Sequence, residues 1–88
     1  MPWKIELADS AVRQLKKLDK TIVKRIRNLL SRIETLDNPR SIGHALQGER
    51  FGELWRYRVG EYRLICKIED DRVVVLVLRV GHRRDVYR

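Results

Sequence analysis

The spacing of apolar residues changes near residue 40, and this change constrains the fold more than any other feature of the sequence. Before it, apolar residues recur at helical spacing; after it, they alternate with polar residues, as in half-buried strands. A chain of 88 residues buries only about 60% of the surface that it exposes when unfolded, so it has room for one core. We therefore predict a single domain, residues 1–88, in which helices and strands share that core.

A strand and a helix hairpin are predicted before the change. Residues 3–7 alternate apolar and charged side chains, which is the period of a strand. A short helix follows up to residue 20, and Thr21 is expected to cap a longer helix whose apolar stripe runs from Ile22 to Leu36. Pro39 ends the longer helix because it disfavours helical geometry at the residue before it. About two residues join the helices, so they form an antiparallel pair.

Three strands are predicted after the change. Leu54 to Val59 and Tyr62 to Ile68 alternate, and Gly60-Glu61 between them fits a two-residue type II′ hairpin loop. An acidic turn at residues 69–72 leads into Val73 to Val80, which is apolar on both faces and therefore predicted to be a central strand. The fold predicted is α+β: an N-terminal strand, an antiparallel helix hairpin, then an antiparallel β-meander with the helices packed on one face.

The charge of the chain points to a polyanionic partner. Twenty Lys and Arg against twelve Asp and Glu give a formal net charge of +8 and a sequence pI near 10.3, which favours nucleic acid or a strongly acidic protein. After residue 40, Lys67 is the only lysine and the other cationic residues are arginines. Guanidinium binds phosphate oxygens through two parallel hydrogen bonds, so this half is typical of a phosphate-binding protein.

Other features indicate a cytoplasmic protein. Cys66 is the only cysteine, so no disulfide can form within the chain. The longest apolar run, Val73 to Leu78, is far shorter than the roughly 20 residues of a membrane span. The first ten residues carry acids where a signal peptide would be apolar. We expect an intracellular protein with no membrane partner.

The predicted hairpin brings like charges together. Closing the loop at Gly60-Glu61 pairs Arg58 with Arg63 on one face, with Arg56 one step further along. Like charges in that position destabilise a sheet, so the pair suggests a site that binds an anion. The alternative is that the guanidiniums extend into water or pair with nearby acids.

The last residues are expected to complete this site. Gly81 allows the chain to bend off the sheet edge, so that His82, Arg83 and Tyr87 fold over the same face. Cations, an imidazole and a phenol could then move a proton from a ribose 2′-hydroxyl, stabilise a phosphorane and protonate the leaving oxygen. His44 and His82 have no cysteine or clustered carboxylates at ligand spacing, so we expect no metal site and no cofactor.

Most of the chain resembles a known family. The stretches "LADSAVRQLKKLDK" and "ALQGERFGELWRYRVGEYRLICKIEDDRVVVLVLRVGHRRDVYR" are similar to the RelE/ParE superfamily of toxins from bacterial and archaeal toxin–antitoxin modules, and to its RelE branch in particular. The most specific parts are Glu61-Tyr62-Arg63-Leu64 and the ending "GHRRDVY" after the last strand. The resemblance implies a RelE-like fold and cleavage of messenger RNA in the ribosomal A site through the 2′-hydroxyl, without metal.

The resemblance also implies roles for individual residues. Arg63 matches the family's transition-state arginine, and Arg83 matches the arginine assigned as general acid. Tyr87 matches the C-terminal tyrosine. Arg56 and Arg58 match two basic positions on the preceding strand, where the best-studied members carry lysine.

Because Arg56 and Arg58 stand where relatives carry lysine, another residue is needed for proton transfer. Arginine effectively cannot lose a proton, so the usual candidate base is missing. Histidine exchanges protons near neutral pH, and we hypothesise that His82 does so here while Arg58 and Arg63 hold the phosphate. Arg56 and Arg84 are predicted to bind RNA phosphates.

Three functions remain open from the sequence. The first is a type II toxin that cleaves mRNA as a metal-independent endoribonuclease, with a cognate antitoxin protein, mRNA and the ribosome as partners. The second is a ParE-like poison of DNA gyrase without nuclease activity. The third is a family member that keeps only the fold and its affinity for RNA.

Overall fold

Two helices and five strands make up the fold in the computed structural model, which describes residues 3–46 and 53–82. In chain order they are β1 (Lys4–Leu7), α1 (Asp9–Lys16), α2 (Lys20–Thr35), a 3-10 turn (Pro39–Ser41), β2 (His44–Ala45), β3 (Trp55–Val59), β4 (Tyr62–Glu69) and β5 (Val74–His82). The strands form one sheet in the order β1-β5-β4-β3-β2. The predicted α+β fold is confirmed.

The helices cover one side of the sheet and enclose the core there. Ala11, Ile26 and Ile33 of the helices are 0 to 1% exposed, because the apolar stripe of each helix faces the strands. The core also contains alternate residues of the three central strands: Tyr57, Val59, Leu64, Cys66, Ile68, Val75, Val77 and Val80. No helix among the described residues is long and apolar enough to cross a membrane.

The N-cap of α2 differs from the prediction. Asp19, not Thr21, is the cap, and its Oδ1 accepts a hydrogen bond of 3.1 Å from the backbone N–H of Thr21. A carboxylate at this position also interacts favourably with the positive end of the helix dipole. The predicted Thr21 cap was therefore wrong by two residues, and the helix begins at Lys20, one residue before the predicted cap.

The sheet is mixed. The meander β3-β4-β5 is antiparallel, as predicted, but β1 runs parallel to β5 and forms the outer edge. The start of the chain is held in place by Trp3, whose backbone N–H donates to Glu34 O at 3.0 Å and whose Nε1 donates to Asp37 O at 3.2 Å. The last strand, β5, therefore lies between β1 and β4.

The β3–β4 hairpin has the predicted loop and register. Gly60 has φ of 57°, which glycine adopts without steric cost, and Glu61 has no positive φ, as a type II′ turn requires. Val59 pairs with Tyr62, and Arg58 pairs with Arg63. The predicted pairing of two arginines across the hairpin is confirmed.

The β4–β5 pair contains a bulge that the sequence does not reveal. Ile65 pairs with Arg79 but the next residue, Cys66, pairs with Val77, so Leu78 has no partner in β4. An extra residue in one strand reverses the faces of all residues beyond it. Val80 consequently turns into the core, and Arg79 turns to the opposite face.

Helix α1 compensates for the ladder that the bulge interrupts. Ser10 Oγ donates to the backbone oxygen of Leu78 at 2.6 Å, and Gln14 Oε1 accepts from the backbone N–H of Val80 at 2.6 Å. Buried backbone groups need such partners. These two side chains therefore fix both the bulge and the position of α1 on β5.

Candidate functional site

The side of the sheet opposite the core carries four arginines. Arg58 lies opposite Arg63, and the neighbouring row across β3, β4 and β5 consists of Arg56, Ile65 and Arg79. Directly opposed residues share a face of the sheet, so all four guanidinium groups leave the sheet on one side. We call this side the arginine face. It brings together the predicted residues Arg56, Arg58 and Arg63.

Arg63 is the most enclosed of the four. It is 8% exposed, whereas Arg58 is exposed. Its Nη1 atom is buried and has no hydrogen-bond partner among the described residues. A guanidinium stays charged, and a buried charged donor without an acceptor costs free energy. An anion bound beside Nη1 would remove that cost, so this atom makes the arginine face a candidate anion site.

His82 lies on the other side of the sheet. It pairs with Tyr62, and the two rings meet edge to face with their centroids 5.8 Å apart. Its neighbour Gly81 pairs with Arg63, and consecutive residues of a strand point to opposite faces. The role of His82 in proton transfer stays a prediction, and this geometry argues against it.

The C-terminal part of the predicted site is only partly described. Gly81 was expected to bend the chain off the sheet edge after Val80, but β5 continues through it to His82. That expectation was wrong, since the ladder with β4 still pairs both residues. The predicted site residues Arg83, Arg84 and Tyr87 lie outside the described residues.

Arg79 was missed as a site residue. The run from Val73 to Val80 is apolar on both faces, so its alternation gave no sign of which way Arg79 points. The position of Arg79 on the arginine face depends on the bulge at Leu78. A single basic residue in an otherwise apolar strand was the only sequence signal.

A second basic region lies between α2 and the hairpin. Arg25, Asn28 and Arg32 of α2, together with Arg58 and Gly60, line an open cleft of about 390 Å³. Nη1 of Arg25 lies 3.4 Å from the point where a Cβ on Gly60 would sit, so its guanidinium covers the hairpin loop. Arg58 therefore borders both the cleft and the arginine face. The residues of α2 were missed because only the folded chain brings them to the hairpin.

The opposite end of the sheet contains paired arginines. Arg40 makes a two-pronged ion pair with Asp70, at 2.9 and 3.0 Å. Arg72 binds Glu69 at 3.0 Å and Glu6 at 3.1 Å. The hydrogen bond from Arg40 lowers the pKa of Asp70 below its ordinary value, because it stabilises the ionised carboxylate.

Two buried titratable groups stay protonated because of their surroundings. Burial raises the pKa of the Cys66 thiol and of the Tyr57 hydroxyl well above their ordinary values, since low polarity disfavours their charged forms. The hydroxyl of Tyr57 donates to Pro39 O at 2.6 Å. Both groups are therefore protonated parts of the core. Among the described residues, no three His, Cys, Asp or Glu side chains are grouped as metal ligands.

Comparison with known proteins gives consistent results. Residues 5–87 match the family described as the ParE toxin of type II toxin–antitoxin systems, parDE. The chain is 35% identical to the toxin RelG of Mycobacterium tuberculosis over 92 residues, which cover all of this chain and 99% of RelG. It is 29% identical to the mRNA interferase toxin RelE of Escherichia coli K12 over 83 residues, which cover 94% of this chain and 85% of RelE.

A solved structure also matches over almost the whole length. The toxin–antitoxin complex RelBE2 of M. tuberculosis contains a chain that superimposes with a TM-score of 0.82 at 29% identity, covering 97% of this chain and 95% of that one. The agreement of fold, family and relatives confirms the resemblance noted in the sequence. The chain belongs to the RelE/ParE superfamily of type II toxin–antitoxin toxins.

Proposed function

We propose that this toxin is a RelE-type endoribonuclease that cleaves messenger RNA in the ribosomal A site and so inhibits translation. The observation that carries the proposal is the buried guanidinium of Arg63, whose Nη1 has no hydrogen-bond partner among the described residues, beside the opposed Arg58. Charged donors that the fold holds in place are suited to stabilise charge that develops in a transition state. The description of the relative RelE as an mRNA interferase agrees with this chemistry.

The reaction that the arginine face supports is a transfer within the RNA backbone. The ribose 2′-oxygen attacks the adjacent phosphorus as its proton passes to a water molecule. The bond from phosphorus to the 5′-oxygen breaks as that oxygen takes a proton from Arg83, which regains one from solvent. The products are a 2′,3′-cyclic phosphate and a free 5′-hydroxyl. The phosphorane carries additional negative charge, and Arg58 and Arg63 stabilise it with charged hydrogen bonds.

Arg58 and Arg63 hold the phosphate and stabilise charge in this proposal, and proton transfer is assigned to another group. Arg83 is the general acid, as the resemblance implies, and Tyr87 is proposed to contact the RNA. Arg56 and Arg84 bind neighbouring phosphates. Because the arginine side chains supply the positive charge, the cleavage proposed needs no catalytic metal ion.

A cognate antitoxin is the protein partner in this proposal. The solved relative RelBE2 is a toxin–antitoxin complex, and this chain belongs to a family of such toxins. An acidic or amphipathic segment of the antitoxin would cover the arginine face. The toxin would act in the cytoplasm, where its substrate is translated.

Primer extension on a translated messenger RNA tests the proposal. Wild-type toxin is incubated with the RNA, with and without ribosomes. Cleavage that requires ribosomes and disappears in Arg83→Ala is the expected result. Absence of cleavage with ribosomes present would contradict the proposal.

The description of the matching family as ParE toxins favours one alternative, a poison of DNA gyrase. A gyrase ligand has no need of a buried unpartnered guanidinium. The two functions separate in a supercoiling assay with purified gyrase and relaxed plasmid. Inhibition of gyrase by both wild type and Arg63→Ala, without transcript cleavage, would establish the alternative.

A further inference from the structure

We infer that α2 and the β3–β4 hairpin form a second phosphate-binding surface, which holds the backbone of double-helical RNA while the arginine face acts on the messenger. Its centre is the cleft lined by Arg25, Asn28, Arg32, Arg58 and Gly60, which we call the α2 cleft. The inference rests on the proposed function, because a toxin that acts in the ribosomal A site is surrounded by double-helical ribosomal RNA. It concerns a surface that meets the arginine face only at Arg58.

The cations of α2 form a surface of one sign. Five are exposed, and they are Lys20, Lys24, Arg25, Arg27 and Arg32. The only acid in the helix, Glu34, lies in its last turn. Ion pairs among the described residues involve Arg40 and Arg72 and none of the α2 cations. The charges of this helix are therefore available to an external anion.

The geometry of the surface suits phosphate. Arg25, Arg32 and Arg58 converge on one cleft that has no carboxylate in its lining, and guanidinium groups bind phosphate oxygens in pairs. A second open cleft, lined by Lys20, Lys24 and Arg27, continues the first and shares Asn28 with it. From Lys20 to Arg32 the helix rises about 18 Å at about 1.5 Å per residue, which is long enough to follow several phosphates.

The composition of the two clefts favours a nucleic-acid duplex over a single strand or a protein, and the proposed function makes RNA the duplex that it meets. Neither contains an aromatic side chain, and proteins that hold single strands stack the bases on aromatic rings. The apolar residues in the two linings are Val23, Leu29 and Val59, whereas the centre of a protein interface is mainly apolar. Contacts to the backbone of a duplex need neither feature.

The position of Arg58 connects this surface with the proposed active site. Arg58 borders the α2 cleft and also lies opposite Arg63 on the arginine face. A ribosome bound along α2 would therefore hold the hairpin, and with it Arg63, in a fixed position relative to the RNA. The surface acts in substrate docking, so its loss should raise KM and leave kcat nearly unchanged.

The test is binding of a fluorescent 2′-O-methyl RNA duplex, measured by anisotropy from about 50 to about 200 mM salt. This duplex lacks the attacking hydroxyl, so binding is measured without cleavage and independently of the proposed reaction. The variant is Arg25→Gln/Arg32→Gln. The control is Arg13→Gln/Lys17→Gln, which removes two exposed cations outside α2.

The expected result is a change in both affinity and salt dependence for the α2 variant alone. Log affinity falls with log salt, and each phosphate contact makes the slope steeper by about 0.9. Losing two contacts should therefore make the slope shallower by about two. Equal slopes for wild type, variant and control would overturn the inference. So would a variant that loses antitoxin affinity while retaining duplex binding, because α2 would then be a protein interface.

The same variants separate this inference from the proposed function. In ribosome-dependent cleavage, the α2 variant should show a raised KM for ribosomes with kcat nearly unchanged. If the wild type binds the duplex through α2 but cleaves no messenger, the inference stands and the proposed function fails. If the toxin cleaves messenger and the variant's KM equals that of wild type, the inference fails and the proposed function stands.

Discussion

The two ends of the central sheet use arginine in opposite ways. At the β4–β5 turn, Arg40 and Arg72 are held in ion pairs with acidic residues. At the β3–β4 hairpin, Arg58 and Arg63 face each other without a carboxylate partner among the described residues. Exposed ion pairs contribute little to stability, and opposed like charges reduce it. The difference is the reason for assigning Arg58 and Arg63, rather than Arg40 and Arg72, to the proposed site.

Replacing the buried arginine should have the largest effect. Arg63→Ala removes charged hydrogen bonds to the phosphorane, so we expect ribosome-dependent cleavage to fall about 100- to 1,000-fold. Primer extension under single-turnover conditions measures the rate. The control is Arg72→Ala at the paired end, which should leave the rate within about twofold of wild type. Equal losses in both variants would break the distinction between the two ends.

Relieving the opposed charges should stabilise the protein. Arg58→Thr replaces one cation of the Arg58–Arg63 pair by a residue that favours strands, and we expect the free energy of unfolding to rise by about 0.5 kcal/mol. Urea denaturation followed by circular dichroism measures the change. Cleavage should fall in the same variant, because Arg58 is proposed to contact phosphate. A less stable Arg58→Thr would show that the pair is not a cost to the fold.

The paired end should be sensitive to acid. The pKa of Asp70 is lower in the folded protein than its ordinary value of 3.8. Its stabilising contribution is therefore fully present above that value and is lost as the pH falls through the folded pKa. The melting temperature of wild type should exceed that of Arg40→Gln at neutral pH, and the difference should shrink in acid. A difference that is constant with pH would exclude this ion pair as its source.

The smallest effect is expected at His82. Because this residue lies on the helix side of the sheet, His82→Gln should change the cleavage rate by less than about threefold, well below the effect of a direct catalytic group. The same primer-extension assay compares the two proteins. A loss of about 100-fold or more would return His82 to the site, as the sequence suggested.

The sequence predicts one half of this arrangement well. The two-residue loop at Gly60-Glu61 determines the register, and the register places Arg58 opposite Arg63. Local turn chemistry is enough for that inference, because a two-residue loop leaves one pairing between the flanking strands. The family resemblance adds roles that no pattern of spacing provides.

The other features of the arginine face and the α2 cleft depend on tertiary contacts. The bulge at Leu78 occurs in a strand that is apolar on both faces, where alternation gives no register, and it is fixed by Ser10 and Gln14 of α1. The face on which Arg79 lies follows from it. The approach of Arg25 to the hairpin loop likewise depends on helix packing, which sequence periodicity alone does not specify.

The central position of β5 has a consequence for the timing of toxicity. Lys4 in β1 pairs with Val74 in β5, nearly the whole described chain apart, and contacts between such distant segments form late in folding. Neither the core nor the arginine face is complete until β5 has been synthesised and inserted between β1 and β4. The toxin therefore cannot assemble the arginine face on the ribosome that is still translating its first 80 residues.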